Sequence, residues 1–69
     1  MKTSTLINKL IAALDTYGDL DVTVSETLWM YNSIKQVLHI KHPYQDPNET
    51  VIELIDSEYE EDKENWEIL

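Results

Sequence analysis

The chain has 69 residues, no cysteine and a formal net charge of −9 at pH 7. A chain this short forms one small domain with a limited core, and it has neither a disulfide frame nor a thiolate metal site. No segment approaches the ~20 apolar residues of a membrane span, and no small-residue cleavage site follows the N-terminal apolar run. These features predict a single domain over residues 1–69, soluble and cytoplasmic, with no membrane partner.

The negative charge is confined to the last third of the sequence. Residues 1–45 hold four acids and four lysines, which cancel. Residues 46–69 hold ten acids and only Lys63, and so account for the whole imbalance. The chain also lacks arginine. Because nucleic-acid affinity depends on neutralising phosphates, this distribution argues against direct nucleic-acid binding and favours a basic protein partner.

A helix is predicted from about residue 4 to residue 17. Apolar side chains recur there at helical spacing, and Gly18, the only glycine, follows where a C-terminal cap would lie. Leu10, Ile11 and Leu14 are predicted to be core residues of this helix.

Three strands are predicted after the helix. Residues 20–24 alternate apolar and polar side chains, residues 34–42 are rich in β-forming types, and residues 50–56 form a third apolar run. The inner side chains of the second strand are predicted to be Ile34, Leu38 and Ile40. Residues 26–33 are predicted to be a hairpin connection, or strand ends that flank a turn at Asn32 and Ser33. The element order predicts an α+β fold, with the N-terminal helix packed on a three-stranded antiparallel meander.

The chain ends in an acidic segment, residues 57–69, whose last twelve residues are EYEEDKENWEIL. Ser57 can cap a short helix running to about residue 67, which would place Tyr59 and Trp66 on one face. The alternatives are a frayed tail and a short last strand at WEIL. The helix is the favoured interpretation.

The residues that could carry metal or catalytic chemistry do not form a convincing site. His39 and His42, three apart on a strand, point to opposite faces and cannot chelate one ion. Asp15, Asp19 and Asp21 lack the ligand spacing of a calcium loop and are explained by a helix cap and turn. No nucleophile elbow or phosphate-binding glycine loop is present. We therefore expect no cofactor, no metal and no enzymatic activity.

The acidic segment supplies the first candidate partner-binding surface. Its members are Glu58, Glu60, Glu61, Asp62, Glu64 and Glu67, with Trp66 as an aromatic anchor. On a helix rising ~1.5 Å per residue, these carboxylates would approach the charge density of duplex DNA, about one per 1.7 Å. The surface would then act as a DNA mimic. The alternative is a solubilising acidic tail, which runs of like charge often form.

A second candidate surface is the sequence LWMY, which contains Trp29, Met30 and Tyr31. These residue types are enriched at interface cores, and four such side chains in one connection cannot all turn inward. Trp29 is expected to pack inside, which would leave Met30 or Tyr31 available to a partner.

The stretch TLINKLIAALDTYGDLDVTV, residues 5–24, resembles the opening of a group of small phage and prophage-encoded proteins. In that group a helix of the form L-I-x-x-L leads through G-D-L into a strand, and two further strands follow. The resemblance implies a small αβββ accessory protein with no catalytic residues to carry over. Phage genomes also encode small acidic inhibitors, including anti-restriction and anti-CRISPR proteins.

Charge and resemblance together lead to one functional expectation. The protein is expected to bind and inhibit a protein partner in the host cytoplasm, with a nucleic-acid-binding defence protein as the favoured class. The alternative is a structural or self-associating phage or bacterial accessory protein, which could form a homo-oligomer, with a solubilising acidic tail.

Overall fold

The structure is a computed structural model, and it describes residues 1–25, 33–41, 50–62 and 64–69. These residues form one helix and four strands. The elements are α1 (Thr3–Tyr17), β1 (Val22–Val24), β2 (Gln36–Ile40), β3 (Val51–Ile55) and β4 (Trp66–Ile68).

The four strands form one mixed sheet in the order β1-β3-β2-β4. Strand β2 is antiparallel to both β3 and β4, whereas β1 is parallel to β3. The α+β class is therefore confirmed, but the three-stranded antiparallel meander is wrong. The predicted hairpin between the first two strands is also wrong, because β3 separates β1 from β2. The apolar strands β2 and β3 take the centre, and the three-residue strands lie at the edges.

The helix ends where the sequence predicts. Gly18 has φ 91°, a conformation that side chains other than glycine rarely adopt, and its N–H donates to the Leu14 carbonyl oxygen at 3.0 Å. The positive φ turns the chain away from α1 towards β1. Within the described residues, no helix is long and apolar enough to cross a membrane.

One face of α1 packs on the sheet, and it differs in part from the predicted face. Ala13 is buried against Val37 of β2 and Ile52 of β3, and Leu6, Leu10 and Tyr17 pack around this cluster. The small Ala13 side chain allows the helix to approach the sheet closely.

The prediction that Leu10 contributes to the core is confirmed, because Leu10 packs against that cluster. The same prediction for Ile11 and Leu14 is wrong, since each is 53% exposed. The helix carries two neighbouring apolar stripes, and only the one containing Ala13 faces the sheet.

Strand β2 is buried on both faces. Val37 and His39 lie on the side of the helix, and Leu38, which is only 1% exposed, lies on the opposite side. The predicted inner residue Leu38 is therefore buried, whereas Ile34 and Ile40 are only half-buried. A strand buried on both sides loses the alternation from which inner and outer residues are assigned.

Candidate acidic interface

The acidic segment ends in a strand. Residues 58–61 have no regular secondary structure, a turn follows at residues 64–65, and β4 then pairs with β2. The favoured helix over residues 58–67 is wrong, and the alternative of a last strand at WEIL is correct. Pairing with β2 satisfies backbone groups that a helix here would have left unpaired on the edge of β2.

The side chain of Asp62 organises the turn that precedes β4. Its backbone oxygen accepts from the N–H groups of Asn65 at 3.0 Å and Trp66 at 2.7 Å. Its carboxylate accepts from the Glu64 N–H at 3.2 Å and from the Asn65 side-chain amide at 2.9 Å. Both carboxylate oxygens therefore take part in the turn, as aspartate side chains commonly do. Asp62 acts mainly as a structural residue.

Two side chains attach the irregular part of the acidic segment to the sheet. Gln36 accepts from the Tyr59 N–H at 2.8 Å and donates to the Tyr59 carbonyl oxygen at 3.3 Å. The Trp66 Nε1–H donates to the Glu60 carbonyl oxygen at 2.9 Å, and its ring lies 5.9 Å from that of Tyr59. Trp66 is thus half-buried and holds the acidic segment in place, so most of its ring is unavailable to a partner.

The attached segment leaves four of its carboxylates free. Glu58, Glu60, Glu61 and Glu64 are exposed, and none has a side-chain hydrogen bond or ion pair with a described residue. In contrast, Glu67 accepts from the Tyr17 hydroxyl at 2.5 Å and pairs with the Lys41 ammonium at 3.2 Å. Of the six predicted carboxylates, four are therefore available to a partner.

Glu67 belongs to a cluster that joins β4, β2 and α1. The Tyr17 ring stacks on the buried His39 ring, with centroids 3.7 Å apart and planes inclined by 15°. The hydrogen bond with Glu67 raises the pKa of Tyr17, and the same bond, helped by Lys41, lowers the pKa of Glu67. Burial lowers the pKa of His39. Sequence reasoning missed this cluster because Tyr17 and Glu67 are 50 residues apart.

The remaining predicted site residues lie outside the part of the chain that the structure describes. Trp29, Met30 and Tyr31 lie outside the described residues, as does His42. Among the described residues, no group of three or more histidine, aspartate or glutamate side chains is arranged to hold a metal ion.

A shallow groove of about 370 Å³ lies between α1 and the end of the chain. It is lined by helix residues from Thr5 to Thr16 and by Leu69. The Lys9 ammonium donates to the Leu69 carbonyl oxygen across it. Lys9 is the only titratable side chain among the described residues that line it.

Comparison of the chain with protein-family models, with curated proteins and with solved structures finds no match. The resemblance of residues 5–24 to phage accessory proteins therefore stays a prediction. The candidate interface depends on the chemistry of this chain alone.

Proposed function

We propose that the protein binds a basic protein partner through Glu58, Glu60, Glu61 and Glu64. The observation that carries the proposal is that these exposed carboxylates lie on a segment attached to the sheet through Gln36 and Trp66. A solubilising tail needs no such attachment, whereas a binding surface gains from it. Fixed charges lose less conformational entropy when a partner binds.

The spacing of the carboxylates supports a nucleic-acid-binding protein as the partner. A fully extended chain advances at most ~3.6 Å per residue, so Glu58 and Glu61 lie within about 11 Å of each other along the backbone. Three carboxylates spread over that distance are at most ~5.5 Å apart on average along the backbone. A single DNA strand carries one charge per ~3.4 Å. In charge spacing, the surface is thus comparable with a single DNA strand. A helical segment would instead have approached the spacing of duplex DNA.

An aromatic side chain lies among these charges. Tyr59, between Glu58 and Glu60, is 46% exposed while its backbone is held by Gln36. Complementary charge mainly speeds encounter and sets register, and aromatic contacts supply more of the binding energy. We therefore propose that Tyr59 is the apolar contact at the centre of the interface. In the phage setting that residues 5–24 suggest, the partner would be a host nucleic-acid-binding protein whose basic groove the acidic surface blocks.

Charge substitution tests this function better than truncation, because deleting residues 58–69 would also remove β4. The test variant changes Glu58, Glu60 and Glu61 to glutamine. Its matched control changes the exposed residues Asp15, Asp19 and Asp21 to asparagine, which removes the same number of charges elsewhere.

Affinity capture from host lysate, read by mass spectrometry, should recover basic nucleic-acid-binding proteins with the wild type and the control. The glutamine variant should lose them, and duplex or single-stranded DNA should compete for the same partners. Equal capture by both triple variants would contradict the proposal. Equal loss in both would show a general charge effect without a defined surface.

A further inference from the structure

The flank of α1 beside its packing face is apolar and uncovered. Ile7, Ile11 and Leu14, spaced by four and three residues, are 50%, 53% and 53% exposed. The opposite flank of the helix, which includes Lys9, faces Leu69 beyond the end of β4. The exposed stripe therefore lies on the flank towards the other edge of the sheet, where β1 runs.

Strand β1 presents two exposed valines on the same side of the sheet. Val22 pairs with Ile52, and Val24 pairs with Leu54. Ile52 and Leu54 both pack in the cluster beneath α1, and paired residues point to the same face. Val22 and Val24 therefore point to the helix side, where they are 53% and 61% exposed.

The outer backbone edge of β1 has unpaired groups. Asp21 O accepts from Ile52 N at 2.9 Å, and Ser25 N donates to Leu54 O at 2.9 Å, so the odd-numbered residues bond to β3. In a parallel ladder, the alternate residues direct both backbone groups the other way. The N–H and C=O groups of Val22 and Val24 thus point outward, and among the described strands β1 pairs with β3 alone.

We infer that a second copy of this chain pairs with β1 across a two-fold axis through Thr23. Antiparallel pairing would join Val22 of each copy to Val24 of its partner by four backbone hydrogen bonds, giving a continuous sheet of eight strands. The four valine side chains would then form one apolar cluster on the helix side. The exposed stripes of the two helices would flank it. Such an interface is self-complementary, as two-fold symmetry requires.

The distribution of charge favours a second copy at this edge. The net charge of −9 resists self-association in general, but six of the fourteen acidic residues lie in residues 57–69, which lead into β4 at the opposite edge of the sheet. The exposed side chains on the helix side of this edge are all apolar, namely Ile7, Ile11, Leu14, Val22 and Val24. Edge strands are usually protected by charge, proline or a bulge, and β1 has no charged residue or proline in Val22–Val24.

The size of the face sets a condition on the dimer. A stable interface covers about 800 Å² on each partner, roughly one sixth of the 5154 Å² accessible surface of this chain. Three residues of strand cover much less than that. The helix stripe must therefore contribute, and substitutions in either element should weaken the dimer.

Analytical ultracentrifugation of the full chain over a range of concentrations tests the inference. We expect a concentration-dependent dimer in the wild type and a monomer in Val24→Lys and in Ile11→Lys. Both positions are more than half exposed, so the variants should still fold, which circular dichroism can check. Ala12→Lys adds the same charge at an exposed position on the opposite flank of α1, towards Leu69, and should leave the dimer unchanged.

Amide hydrogen exchange by NMR provides a second test within one molecule. In the dimer, the amides of Val22 and Val24 should exchange more slowly as concentration rises. The Thr23 amide, which faces β3, should be protected at every concentration. A wild type that stays monomeric overturns the inference and leaves the face to a strand of another protein. A dimer that persists in both lysine variants also overturns it, because its interface must then lie elsewhere.

Discussion

The two edges of the sheet are built in opposite ways. At one edge, β4 is held by side-chain contacts from three elements, among them Glu67 with Tyr17 and Lys41, and Trp66 with the acidic segment. At the other edge, β1 consists of Val22–Val24, and its helix-side valines are more than half exposed. The side chains of the first edge are held by contacts within the chain, whereas the second edge presents an apolar surface to solvent.

This contrast separates charge from hydrophobic surface within a very small domain. The free glutamates accompany the β4 edge, where attachment fixes their positions. The apolar stripe of α1 accompanies the β1 edge, in the part of the chain whose charges cancel. The surface proposed for a basic partner and the surface proposed for a second copy therefore lie at opposite edges of the sheet.

The largest expected effect is a difference in stability between variants in the packed stripe and in the exposed stripe of α1. Leu10→Ala should lower the free energy of unfolding by about 2 kcal/mol, because Leu10 packs on the core but is only partly buried. Leu14→Ala should change it by less than about 0.5 kcal/mol in the monomer. Chemical denaturation at low protein concentration measures both. Similar losses in the two variants would show that both stripes of the helix pack inward.

Side chains at the two edges of the sheet should contribute differently to stability. Trp66→Ala should destabilise the fold by about 1–2 kcal/mol, since it removes a half-buried ring and the hydrogen bond to Glu60. Val22→Ala at the other edge should cost less than about 0.5 kcal/mol. Trp66→Ala should also weaken capture of basic partners without changing the net charge.

Trp66→Phe separates the two contributions of this side chain. It keeps a smaller aromatic ring near Tyr59 but loses the indole N–H and part of the apolar ring surface. Its stability should lie between those of the wild type and Trp66→Ala. If Trp66→Ala unfolds at the wild-type denaturant midpoint, the acidic segment is not attached through this residue.

Local sequence signals predicted the helix and its end. The strand order and the packing face of the helix depend on long-range pairing and were not predicted. The 3.6-residue periodicity of residues 4–17 and the single glycine at position 18 are local signals, because each depends on residues close together in the sequence. The parallel pairing of β1 with β3 joins Val22 to Ile52, 30 residues away, and nothing in either strand specifies that neighbour. Which apolar stripe of α1 faces the sheet depends on the small Ala13, which packs against Val37 and Ile52. The helix sequence alone does not show this contact.

The candidate site was predictable in composition but not in geometry. All six carboxylates of the acidic segment were identified from the sequence. Which of them are free depends on the Asp62 turn and on the distant Tyr17, and the sequence marks neither contact. The helix over residues 58–67 was favoured on local propensity. Propensity carries no information about the unpaired edge of β2, with which the end of this segment pairs.

The smallest expected effect is a pH dependence that belongs to the β4 edge. Burial lowers the pKa of His39 below its ordinary value of 6.5, with Glu67 raising it and Lys41 lowering it further. The unfolded chain therefore binds a proton at His39 more readily than the folded chain does. The stabilisation is fully present above about pH 6.5 and is lost as the pH falls through the folded-state pKa.

Glu67 contributes a second loss of stability at lower pH. Its hydrogen bond from Tyr17, with Lys41 nearby, holds its pKa below the ordinary 4.5, so this stabilisation is present above about pH 4.5 and is lost as the pH falls through the folded-state pKa. Denaturation at a series of pH values should show one decline beginning near 6.5 and another beginning near 4.5. His39→Phe, which keeps a ring against Tyr17 without a titrating group, should abolish the contribution of His39 to the first decline alone. An NMR titration that places the His39 pKa at or above 6.5 would contradict this prediction. Protonation of the buried His39 ring would then not destabilise the fold.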